Sequence, residues 1–120
     1  MGQGPKFLQF MTFPTLQTSD RFIQANPQTT EKLVRAVVKT LKRMREDPEA
    51  AVRVGQKIFP NLDVGLIRSI ITIEKNTYHP QITEEAVHLC NQAQKQVGAV
   101  KGDIAYDKVV ATQFKHLWDQ

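Results

Sequence analysis

Residues 26–50 read NPQTTEKLVRAVVKTLKRMREDPEA, and this stretch decides the fold class. Asn26 is a helix-cap residue, and Pro27 follows at the first helical position, where its missing N–H costs nothing and its fixed φ is already helical. Leu33, Val34, Val37, Val38, Leu41 and Met44 then recur at three-and-four spacing, while Lys32, Arg35, Lys39, Lys42 and Arg43 occupy other faces. That period is the signature of an amphipathic helix with one buried side and a wet, basic one. Asp47-Pro48-Glu49 repeats the cap, proline and acid start, so the long helix ends near residue 46 and another begins with almost no loop between.

Toward the C-terminus the same grammar continues. Ala51, Val54 and Ile58 make the predicted buried stripe of the next helix, which stops before Pro60. Asp63 caps a further helix in which Leu66, Ile67, Ile70, Ile71 and Ile73 are apolar over more than one face, so this element is expected to be the most buried. Thr77-Tyr78-His79-Pro80 ends it. Thr83 caps the following helix, Glu84 and Glu85 give its first turn the negative charge a helix N-terminus favours, and Ile82 with Val87 forms a hydrophobic staple. Its stripe is Ala86, Val87, Cys90 and Ala93, with Val97 one turn on, and Gly98 closes it. After Gly102-Asp103, residues 104–118 read as a short helix, a bend and a last helical turn carrying Val109, Val110, Phe114, Leu117 and Trp118.

Toward the N-terminus, Asp20 is placed to cap a short turn through Ala25. Phe7-Leu8-Gln9-Phe10-Met11-Thr12-Phe13 lies between Gly4-Pro5 and Pro14, a length that suits a strand. Being apolar on both faces, it expects cover on both sides, and the rest of the chain offers few strands to pair with it. The expected architecture is therefore mainly α: five to six helices packed as short-loop helix pairs, with one N-terminal β-strand. Residues 1–120 form a single helical domain, with the strand and a connecting loop in 1–18 and the helical region in 19–120.

Composition bounds the possibilities. A chain of 120 residues has room for one modest core. An apolar share of 41% with 23% charged residues is too apolar for disorder. The net charge of +4 is interleaved with acids rather than gathered in a block, which leaves the partner class open on charge alone; no nucleic-acid partner is expected because the basic residues of the long helix read as a solvated face. Cys90, the sole cysteine, excludes an intrachain disulfide and a Cys-rich zinc site. No stretch approaches the roughly 20 apolar residues that cross a bilayer, so no direct membrane insertion is expected. Met1-Gly2-Gln3-Gly4-Pro5-Lys6 lacks the apolar core of a signal peptide, and Lys6 stands where a myristoylation site would want Ser or Thr.

Catalytic chemistry finds little to stand on. His79, His88 and His116 are far apart in sequence, and none is four residues from a second His as on a metal-binding helix, so no metal site is expected. Cys90 is two residues from His88, and neighbours two apart on a helix point in different directions, which leaves an inert buried thiol. Gly2-Gln3-Gly4 lacks the third glycine and the Lys-Ser/Thr pair of a phosphate loop. Lys32, Arg35, Lys39 and Lys42 follow helical spacing, yet no aromatics interleave for base stacking and Glu31, Glu46 and Asp47 dilute the field, so they read as a solvated face. Phe114, Leu117 and Trp118 read as core rather than as a docking stripe, and Tyr78 as a surface tyrosine rather than a solute platform. No catalytic residue and no cofactor is expected.

Taken in order, several pieces resemble the C-terminal portion of a family of substrate-binding proteins that serve ABC importers of nitrate, sulfonates, taurine and thiamine-pyrimidine precursors. Gly2-Gln3-Gly4-Pro5 followed by Phe10-Met11-Thr12-Phe13-Pro14-Thr15-Leu16 looks like that family's late strand leaving the second lobe. Ser19-Asp20-Arg21-Phe22-Ile23-Gln24-Ala25-Asn26-Pro27 resembles its short helix and the Asn-Pro start of a long one. Val34 to Thr40, the Asp47-Pro48-Glu49-Ala50-Ala51 step and Tyr106-Asp107-Lys108-Val109-Val110 are similar to later segments. The resemblance implies a truncated fragment of a two-lobed α/β periplasmic-binding fold, a periplasmic setting, and a small-molecule solute and an ABC permease as partners.

The leading expectation is thus a non-catalytic component of an importer's solute-binding protein. By the resemblance, Thr12 and Phe13, at the strand's end, are the candidate ligand-binding residues at the edge of the cleft. Two other classes stand beside it. One is a helical interaction module that self-associates as a homo-oligomer through apolar surface left bare. The other is a piece of a thiamine-pyrimidine synthase-like enzyme, whose self-consumed histidine segment matches nothing here.

Overall fold

The computed structural model describes residues 15–120, and these are helical wherever they are regular. Six α-helices follow in order: α1 (Asp20–Ala25), α2 (Pro27–Glu46), α3 (Pro48–Ile58), α4 (Val64–Glu74), α5 (Glu84–Gln96) and α6 (Tyr106–Val109). A 3-10 turn, Lys75–Thr77, extends α4, and a second 3-10 segment, Thr112–Leu117, follows α6.

This corrects the expected fold class. No strand occurs among the described residues, which are mainly α and do not form a strand-bearing piece of an α/β fold. The reason is local: from residue 19 onward helix starts follow one another closely, and the backbone donors and acceptors are consumed inside helices, leaving no ladder edge for a strand. The strand expected at 7–13, with Thr12 and Phe13, lies outside the described residues.

The helix starts follow the punctuation, with two changes of detail. Ser19, not Asp20, caps α1: its Oγ accepts from the Phe22 N–H at 3.2 Å, and Asp20 sits in the first turn. Asn26 holds the cap position of α2 without a side-chain capping bond, while the Thr30 hydroxyl donates to the Asn26 carbonyl at 2.9 Å. Asp47 caps α3 through the Ala50 N–H at 3.1 Å, Asp63 caps α4 through Leu66 at 2.9 Å, and Thr83 caps α5 through Ala86 at 3.1 Å. Gly98, at φ 72°, ends α5. Its N–H donates to the Lys95 carbonyl and that of Ala99 to Gln94, the paired bonds that close a helix through a left-handed residue.

The helices fall into two compact units. One comprises residues 26–80 with 117–120: α2 packs on α3 and α3 on α4, around Val52, Ile67 and Ile71, with Ala51 and Val64 packed against them. Leu117 is fully buried, and Thr30 and Val38 are buried on α2. The other comprises residues 81–116 with the segment through Ala25, and buries Ala86, Asn91, Val110 and Phe114. Within it α5 packs on α6, and Asn91 closes the intervening loop, donating to the Ile104 carbonyl at 2.8 Å and accepting from the Ile104 N–H at 3.2 Å. Tyr106 donates its hydroxyl to the Ile82 carbonyl at 2.6 Å, and the Lys115 ammonium stands 4.4 Å from its ring centre.

Candidate functional site

The surface that stands out lies in the unit of α2, α3 and α4. A single residue, Asp47, turns α2 into α3, so the two helices leave that corner together. Its carboxylate caps α3 and also takes an ion pair from Arg43 at 2.7 Å and a longer one from Arg53 at 3.8 Å. α3 meets α4 at Gly55, where a β-carbon would come within 2.8 Å of the Ile67 Cγ2. Absence of that carbon is what lets the helices approach so closely. On the outer side Arg68 grips Glu49 with a fork, Nε at 2.8 Å and Nη2 at 3.1 Å. That hydrogen bond holds the Glu49 carboxyl below its ordinary range and raises the Arg68 guanidinium.

The close approach selects which face of each helix is covered. Val52 is 1% exposed, whereas Val54 and Ile58, expected as core, are 54% and 62% exposed. On α4, Ile67 and Ile71 are buried, but Leu66, Ile70 and Ile73 are not, so the expectation that α4 is the most buried helix is corrected. A helix of this size covers one stripe against one neighbour, and α4 carries apolar residues on more than that stripe. Of these uncovered residues Val54, Ile58 and Ile70 line an open groove of about 550 Å³, and Leu66 and Ile73 lie outside it. From α3, α4 and the turn between them it is lined by Ala51, Val54, Ile58, Phe59, Leu62 and Ile70 among others, and from α2 by Lys39, Thr40, Arg43 and Met44. Among the described residues no carboxylate lines it.

The residues singled out from the sequence do not converge on this groove. Lys39 reaches its rim; on the same helix Arg35 is held by Glu31 at 2.6 Å and donates to the Gln120 side-chain carbonyl. With Arg43 on Asp47, the basic helix face is partly neutralised from within. Phe114 and Leu117 are buried and Trp118 is half-buried, as core residues are. Tyr78 is half-buried at the end of α4; burial first, and then the Glu74 charge, push its phenol up, and its carbonyl accepts from Arg45. Cys90 is half-buried, and His79, His88 and His116 are exposed. His88 pairs with Gln92 at 2.9 Å, and the His116 Nδ1 lies 3.0 Å from the Gln113 carbonyl. Among the described residues no three His, Cys, Asp or Glu side chains are grouped as a metal site would require. No helix among them is long and apolar enough to cross a membrane.

No protein-family model, curated protein or solved structure matches the chain.

Proposed function

We propose that the chain is a helical, non-catalytic component of the solute-binding apparatus of an ABC-type importer, serving a small organic or oxyanion solute outside the cytoplasmic membrane. One observation carries the reading. The segments whose order resembles that family, Ser19 to Pro27, Asp47 to Ala51 and Tyr106 to Val110, are the ones that hold α1, the starts of α2 and α3, and α6. The test is uptake of radiolabelled nitrate, taurine, an alkanesulfonate and a thiamine-pyrimidine precursor by cells with and without the gene. Loss of one uptake activity, restored by the gene, is the expected result; unchanged uptake of all four ends the reading.

A helical protein-interaction module is the second reading, favoured by the apolar groove at Val54, Ile58, Phe59, Leu62 and Ile70. Contiguous exposed apolar surface rimmed by polar residues is the usual mark of a contact surface. Light scattering over a concentration series, run on the chain and on Ile58→Asp, tests whether the groove engages a second copy.

A further inference from the structure

We draw no further inference here: the strongest candidate, the open apolar groove lined from α2, α3 and α4, carries nothing because nothing in the structure shows what covers it.

Discussion

Gly55 shows how one missing carbon sets the packing of a helix pair. The distance of 2.8 Å from its virtual Cβ to the Ile67 Cγ2 is closer than real β-carbons sit, and Ile67 is buried with little room to move. Alanine at 55 gains up to about 1 kcal/mol of helix propensity. Overpacking costs about 1–3 kcal/mol. Gly55→Ala should therefore lower stability in urea denaturation, and in a double-mutant cycle its cost should be smaller in an Ile67→Ala background than in the native chain, because the clashing methyl is gone. A second residue-scale prediction concerns Tyr106, whose hydroxyl satisfies the Ile82 carbonyl at 2.6 Å. Tyr106→Phe keeps the ring under Lys115 but leaves that carbonyl unpaired, which should cost about 1 kcal/mol, measured in the same assay. Asn91 is the residue the sequence concealed. It stands next to Cys90 at a position with no apolar signal, yet both ends of its amide serve Ile104, thirteen positions along the chain. No short-range pattern records such a bond.

At the scale of elements, helix starts were legible, and so was the covered face of α5, where Ala86 is buried and Val87, Cys90 and Ala93 are half-buried; the covered faces of α3 and α4 were not. Asp47-Pro48, Asp63 and Thr83 mark their helices because a side-chain oxygen must satisfy N–H groups that no earlier turn can reach, a requirement that is purely local. Asp63→Ala should accordingly cost about 1 kcal/mol in urea denaturation. Asp47→Ala should cost more than Asp63→Ala, because it also frees Arg43 and Arg53. Between α3 and α4 the Glu49–Arg68 fork adds a pH signature. Glu49 has its carboxyl lowered in the folded chain, so its contribution is present above the unfolded value of about 4.3 and is lost as pH falls through the folded one. Asp103 behaves alike below its own ordinary value of about 3.9, lowered by its hydrogen bond from Lys95. In an NMR titration Arg68→Gln should return Glu49 toward its ordinary range and leave Asp103 unmoved.

The whole molecule is where sequence reasoning met its limit. Expecting Val54, Ile58 and Ile70 to be core follows from their spacing, but spacing says only that residues share a face, not that anything lies opposite. Within residues 26–80 the close α3–α4 approach turns Val52, Ile67 and Ile71 inward and leaves the adjoining apolar residues bare. That surface should bind the dye anilinonaphthalene sulfonate in the native chain. Ile58→Lys with Ile70→Gln should reduce the dye's fluorescence while helicity is kept, both side chains being about half exposed or more. Undiminished fluorescence would place the dye elsewhere.

The sequence by itself determined that the chain is mainly helical and where the helices from α2 to α5 begin, because caps, prolines and the 3.6-residue period act within a few residues of one another. Only the tertiary structure decided which apolar stripe α3 and α4 cover, that Asn91 reaches Ile104, and that Val54, Ile58 and Ile70 are left to line an open groove beside α2. Those outcomes depend on contacts between segments distant in sequence, and a distance such as that from Gly55 to Ile67 is written in no single stretch of the chain.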